Sequence, residues 1–282
     1  MMPSACDIHK SWEKYFTVVQ WDQRGAGKTY RSNKRSFFDK TMNITQMDTD
    51  LLELVNFLRK KFNKEKIYIL GHSWGTILGL RFAHGHSELL HAYFGVAQVI
   101  DTMENETLVY QQVLSKANEM GNKKAMRDLE RIRPYPTLNQ SIWQVNVVRK
   151  WSAALLNNNL KKGILANYMQ RVLFSPQYSL LDIYGFFRGI IFSAVALSKE
   201  LMTIDFNKVG YQYHIPIIFM HGKKDFYVSP DLAQNYLNEI NAPYKSFILF
   251  DQSSHFPFSE ERENFIDALK NITDSIDYPV EK

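Results

Sequence analysis

Ile67-Tyr68-Ile69-Leu70-Gly71-His72-Ser73-Trp74-Gly75-Thr76-Ile77-Leu78-Gly79-Leu80-Arg81-Phe82-Ala83-His84, or IYILGHSWGTILGLRFAH, decides the reading of the fold. Its first residues are the β-branched, aromatic and aliphatic types that fit a strand. The run after Trp74 has a helical apolar pattern. Between them lies Gly71-His72-Ser73-Trp74-Gly75, a G-x-S-x-G pentapeptide. Alone the pentapeptide is a weak signal. Between a strand and a helix it reads as a sharp turn that lifts a serine hydroxyl above the end of a sheet. Gly71 and Gly75 are expected where the turn leaves no room for a Cβ atom. The helix that follows directs the positive end of its dipole at charge developing near Ser73.

A serine hydroxyl is a poor nucleophile until a base takes its proton, and the base needs an orienting carboxylate. In this chain order an acid and then a histidine are expected, each just after a strand. Asp225 follows the apolar run Ile215 to His221, and His255 follows Ser246 to Phe250. The competing residues suit other roles. Asp251 lies too close to its strand's end and to His255, which suits loop capping. His214 and His221 flank a strand and read as edge or core residues, and His72 reads as packing inside the turn. His84, His86 and His91 straddle a helix end without a carboxylate or cysteine at ligand spacing, so no metal site is expected. The Trp74 N–H is a candidate oxyanion donor.

Further strand-type runs occur at Phe16 to Trp21, Lys66 to Leu70 and Ala92 to Val99. Met47 to Phe62 places Leu51, Leu52, Leu54, Val55, Leu58 and Phe62 at helical spacing, with Asp48 or Thr49 as candidate caps. A last helix is expected from Ser259 to about Ile276. Strands alternating with helices argue for parallel pairing and an α/β fold. From Asp101 to Asn207 the pattern is helical without a convincing strand. That stretch is rich in aromatics, among them Tyr110, Trp143, Trp151, Tyr168, Phe174, Tyr184, Phe186, Phe187 and Phe192. Most of these are expected to pack and a minority to line a pocket. The implied organisation is a core in two parts, residues 1–100 and 208–282, with a helical cap at 101–207.

The 282 residues carry 34 basic and 29 acidic side chains, a net charge of +5. The basic residues are scattered or stand beside acids, as in Arg59-Lys60-Lys61-Phe62-Asn63-Lys64-Glu65-Lys66, which reads as a solvated helix end and not a nucleic-acid patch. No apolar run approaches the roughly 18 residues a membrane helix needs. The single cysteine, Cys6, excludes an internal disulfide framework. Together with an N-terminus lacking the apolar centre of a signal peptide, it makes a reducing, cytoplasmic location the expectation.

The segment VVQWDQRGAGKT, Val18 to Thr29, ends like a phosphate-binding loop. That loop needs a glycine five positions before its second glycine, and Asp22 stands there. It also needs a helix opening at the lysine, whereas TYRSNKRSFFDK has no helical apolar repeat. A structural turn is the expected reading.

Ser73, Asp225 and His255 in this order resemble the α/β-hydrolase superfamily. WDQRGAGKT with GHSWGT resembles its proline iminopeptidase branch, in which a strand ends in a D-Q-R-G turn. The resemblance implies an α/β-hydrolase fold with an inserted helical cap, and a serine hydrolase that needs no cofactor. It implies a short peptide or small-molecule substrate, with N-terminal proline cleavage first and carboxylester hydrolysis second. Two features depart from the family pattern. A His-Gly-Gly-Pro-Gly oxyanion loop normally precedes the D-Q-R-G strand by about fifteen to twenty residues. Its strand lies between the D-Q-R-G strand and the nucleophile strand. The chain starts too late to hold it, so Phe16 to Trp21 and Lys66 to Leu70 are expected either to leave a gap or to pair directly. Without that loop a catalytically impaired hydrolase-like protein is a further alternative. The second departure is Phe226, which follows the acid where related enzymes sometimes place an amine-binding carboxylate. Glu104, Glu106, Asp182 and Glu200 are the remaining candidates for an amine ligand, each otherwise a solvated helix charge.

Overall fold

The computed structural model of the chain describes residues 10–156, 173–174 and 178–277. In chain order the elements are α1 (Gly27–Ser32), α2 (Arg35–Asp39), α3 (Ile44–Phe62), β1 (Ile67–His72), α4 (Trp74–Gly85) and β2 (Leu90–Val96). Then come α5 (Thr102–Glu119), α6 (Lys123–Glu130), α7 (Ile142–Leu155), α8 (Leu180–Ala196) and α9 (Ser198–Leu201). The chain continues with β3 (Ile217–Gly222), α10 (Pro230–Glu239), β4 (Lys245–Phe250), α11 (Pro257–Glu260) and α12 (Arg262–Asp277). Tyr168 of the aromatic set lies outside the described residues.

The chain divides into two compact units, one built from residues 43–159 and 194–255 and the other from 1–42, 160–193 and 256–282. The first holds the sheet, four parallel strands in the order β1-β2-β3-β4. Central strands of a parallel sheet are covered on both faces, so they need continuous apolar runs. Those are Leu90-His91-Ala92-Tyr93-Phe94-Gly95-Val96 and Ile217-Ile218-Phe219-Met220-His221-Gly222, and β3 is buried along its whole length. The register aligns the carboxyl ends: His72 is opposite Val96, Val96 opposite Met220, and Gly222 opposite Phe250. The loops leaving β1, β3 and β4 therefore emerge along one edge, where open parallel sheets bind ligands.

Helix α4 covers β1 and β2, α10 covers β3 and β4, and α3 packs on α4. The cap of α3 is Asn43, whose side chain accepts from the Gln46 N–H. The expected caps are displaced because the buried stripe begins earlier, with Ile44 and Met47. Asp48 instead pairs with Arg81 of α4 at 2.6 Å. Among the described residues no strand forms between β2 and β3. Helices α5, α6 and α7 enclose a separate core around Tyr110, Val113, Leu129, Val148 and Trp151. The two ends of this helical stretch meet in an antiparallel bridge of Asp101 with Asp205, with Thr102 N–H donating to Ile204 O and Phe206 N–H to Ile100 O.

In the second unit Phe16 to Trp21 forms no strand, contrary to expectation. The apolar pattern is there, but a strand exists only with a hydrogen-bonded neighbour. None forms for it among the described residues. The Gly25-Ala26-Gly27 turn packs on α8 through small residues. A Cβ at Gly189 would sit 2.7 Å from Gly25 O, and Ser193 Oγ donates to the same carbonyl at 2.8 Å. Trp12 stacks on Phe265 of α12 with ring centres 5.4 Å apart.

A helix, α1, does open at Gly27, correcting the sequence expectation. Its first-turn anion position is filled from within. The Asp22 carboxylate accepts from Lys28 N–H at 2.8 Å and from Tyr178 Oη at 2.7 Å, and a Cβ at Gly27 would overlap it. The residue that breaks the phosphate-loop pattern occupies the place a phosphate would take.

Candidate active site

Ser73 sits between β1 and α4 with φ 52° and ψ −122°. A non-glycine residue held at positive φ stores roughly 1–3 kcal/mol of strain, which surrounding contacts must offset. Ser73 N–H donates to Val96 O at 2.9 Å, and Thr76 returns both its N–H and its hydroxyl to Ser73 O at 2.9 and 2.5 Å. Thr76 Oγ1 also accepts from Val99 N–H at 3.0 Å. Gly71 is required: a Cβ there would lie 2.7 Å from Gly75 O and 2.9 Å from Thr76 Cα. Gly75 is not, since a Cβ at this second residue of α4 meets open space. Trp74 opens α4, where the first N–H groups have no helical carbonyl to bind.

Below the turn lies a fully buried polar cluster. The single Tyr93 O–H is shared between Gln98 Oε1 at 2.7 Å and Thr76 O at 3.1 Å, and Gln98 N–H donates to His221 Nε2 at 2.7 Å. The bond fixes the His221 proton on Nδ1, which has no hydrogen-bond partner among the described residues. Burial pushes the His221 imidazole down to about 4, against a smaller opposing pull from Asp225. His221 is thus a neutral core residue stacked on Phe247.

Asp225 and His255 meet. His255 Nδ1 is 2.9 Å from Asp225 Oδ2, with the His255 side chain 8% exposed and that of Asp225 fully buried. Asp225 Oδ1 accepts from Tyr227 N–H at 2.8 Å and Val228 N–H at 3.1 Å. Burial works to raise the Asp225 carboxyl, but adjacent His255 and these hydrogen bonds bring it below the ordinary carboxylate value. The histidine loop comes within reach because β3 ends in Gly222, where a Cβ would overlap Ser254 O and lie 2.6 Å from Ser253 O.

His72 does more than pack. Its Nε2–H donates to His255 O at 2.8 Å, and the two rings are 4.9 Å apart. The residue before Ser73 therefore ties the turn to the histidine loop. Asp251 is an exposed partner of Lys223 at 2.8 Å and does not cap its loop. His84 packs edge-on to Tyr213, His86 lies beside Glu88 and His91 beside Tyr68, three separate surroundings. Among the described residues no group of His, Cys, Asp and Glu is placed to hold a metal ion. No described helix is long and apolar enough to cross a membrane.

Three of the four candidate amine ligands are not solvated helix charges. Glu106 is buried and bound by Arg149 and Tyr135 Oη, partners 43 and 29 residues away. Asp182 is buried and accepts from Ser179 N–H and Oγ, with Arg31 at 2.7 Å. Glu200 accepts from Ile44 N–H at 3.0 Å. Glu104 is exposed on α5. Phe226 is buried against Tyr227.

A parallel sheet flanked by helices, with a strand–turn–helix serine at the carboxyl edge, defines an α/β-hydrolase. The chain belongs to the family described as serine aminopeptidase, S33, which matches residues 12–262. It is 29% identical over 263 residues to the probable aminopeptidase YbaC of Bacillus subtilis (strain 168), covering 92% of this chain and 80% of that protein. It is 24% identical over 277 residues to the proline iminopeptidase of Heyndrickxia coagulans, covering 95% and 84%. An esterase structure from Exiguobacterium antarcticum shares the fold, with a TM-score of 0.59 and 15% identity, covering 96% of this chain and 87% of that one.

Proposed function

We propose that the chain is a serine hydrolase that removes an N-terminal residue, proline by preference, from short peptides. Ser73 is the nucleophile, His255 the base and Asp225 its orienting acid. The observation that carries the reading is the 2.9 Å contact of His255 Nδ1 with Asp225 Oδ2 at the sheet edge where Ser73 is also placed. Ser73 Oγ attacks the substrate carbonyl carbon while its proton passes to His255 Nε2. The Trp74 N–H donates to the oxyanion, a contribution commonly about 3 kcal/mol. His255 then protonates the leaving amine, and water releases the acyl group from Ser73 by the reverse proton path. The family and its relatives support aminopeptidase chemistry. Residues 101–207 would serve as a cap that selects substrate, between core parts 1–100 and 208–282.

Carboxylester hydrolysis is the second reading. It is favoured by the engagement of Glu106, Asp182 and Glu200 with the protein's own donors, which leaves exposed Glu104 as the remaining amine ligand of the four. Turnover of proline p-nitroanilide alongside p-nitrophenyl esters separates the two, because hydrolysis of esters alone removes the peptidase assignment. Fluorophosphonate labelling that disappears in Ser73→Ala is the expected sign of the nucleophile. A folded protein that takes no label would show that Ser73 is not activated.

A further inference from the structure

We propose that Asn105 and Arg149, both in the helical stretch between β2 and β3, are positioning residues for the acid–base pair. The inference rests on reading Asp225 and His255 as acid and base. Asn105 lies in the first turns of α5 and is buried. Its carboxamide grips the segment that follows the acid: Nδ2–H donates to Tyr227 O at 2.9 Å, and Oδ1 accepts from Ser229 N–H at 2.9 Å. The same segment gives its Tyr227 and Val228 N–H groups to Asp225 Oδ1. Residues 227–229 are thus held along one edge by the acid itself and along the other by Asn105. A carboxamide suits this position because it offers a donor and an acceptor side by side without charge. Asparagine is otherwise a poor choice inside a helix.

Arg149 of α7 acts on the other partner. Its guanidinium lies over the Tyr227 ring, 5.8 Å from the centroid, and that ring meets His255 edge-on at 5.1 Å and 75°. Glu106, the neighbour of Asn105, fixes the guanidinium from behind and is itself held by Tyr135 Oη. Burial, more than any neighbouring charge, pushes the Tyr227 phenol up, so its ring stays neutral and can face the cation. Asn105 thereby reaches the acid through its loop, and Arg149 reaches the imidazole through the Tyr227 ring. A 1 Å displacement of either would misalign the proton transfer.

The test is a double-mutant cycle in the full 282-residue chain, with folding of each variant checked by thermal melting. The fluorophosphonate labelling rate at Ser73 reads nucleophile activation whatever the natural substrate is. Asn105→Ala is expected to lower this rate about ten- to a hundredfold, as loss of an orienting partner commonly does. In an Asp225→Asn background the same substitution is expected to cost less than about twofold, because the group it acts through is gone. Arg149→Met is expected to lower the rate by a similar factor and to cost less than about twofold in a Tyr227→Leu background, because it acts through that ring. With a chromogenic substrate both single variants lower kcat while KM holds. If Asn105→Ala does not fold, Asn105→Asp replaces it in the cycle. It keeps the acceptor for Ser229 N–H and loses the donor to Tyr227 O. Equal fold losses in the two backgrounds, or a wild-type rate in the single variants, would overturn the inference and leave the acid assignment intact. A wild-type rate in Asp225→Asn alone would instead remove the acid assignment, and the inference with it.

Discussion

Replacing His221 by glutamine should remove a large part of the protein's sensitivity to acid. In the folded chain the imidazole is fully buried on β3, accepts from Gln98 N–H through Nε2 and has its titration pushed down from 6.5 to about 4. In the unfolded chain it titrates near the ordinary histidine value of about 6.5. The folded value is depressed, so the unfolded chain binds the proton first as pH falls. The contribution of His221 to stability is complete above about pH 6.5 and is lost progressively between there and about pH 4. A gap of about 2.5 pH units corresponds to on the order of 3 kcal/mol, a large fraction of a typical domain's stability. Glutamine places an acceptor where Nε2 was and does not titrate. The assay is urea unfolding of both proteins from pH 7.5 to pH 4.5. Asp225 and His255, the titratable groups that interact with His221, are present in both proteins. The stability difference should be flat above neutrality and then shift towards the variant as pH falls. Parallel curves across the range would refute the reasoning, whatever constant offset glutamine introduces.

Gly222→Ala should cost both stability and activity, because its Cβ would overlap the Ser254 carbonyl and move the loop that carries His255. A loss of about 1–3 kcal/mol is expected from overpacking, with a larger fall in Ser73 labelling than thermal melting alone accounts for. An alanine variant with an unchanged melting temperature would mean that the loop has room to give. Asp22→Ala strips the acceptor from Lys28 N–H and Tyr178 Oη. It should cost about 1–3 kcal/mol in thermal or urea unfolding, and an unaltered unfolding curve would show that the carboxylate is dispensable.

Several elements are legible from neighbours in sequence. The apolar run before Gly71 and the helical pattern after Trp74 announce the strand–turn–helix, and it forms at Ile67–His72 and Trp74–Gly85. The apolar runs ending near Val96, Gly222 and Phe250 read as strands for the same reason. Successive side chains along a strand or helix report burial at a fixed period, so local composition carries the information. The alternation of strands and helices then restricts the sheet to parallel pairing.

Other features depend on chain segments that meet only in three dimensions. Phe16 to Trp21 has a strand's composition but acquires no partner strand, and pairing is not a local property. Glu106 looks like one more helix charge until Arg149 and Tyr135 fold against it. Asn105 reads as a weak helix former until the loop after Asp225, 122 residues away, presents Tyr227 O to its amide. The sequence by itself determined the parallel α/β core, the turn that carries Ser73 and the placing of Asp225 and His255 just beyond strands. Only the tertiary structure decided that those two residues touch, that Asp22 fills the anion place at α1, and that Asn105 of α5 holds the loop after Asp225. Periodic burial is written along the chain, whereas a polar side chain's partner depends on which distant segment returns to it.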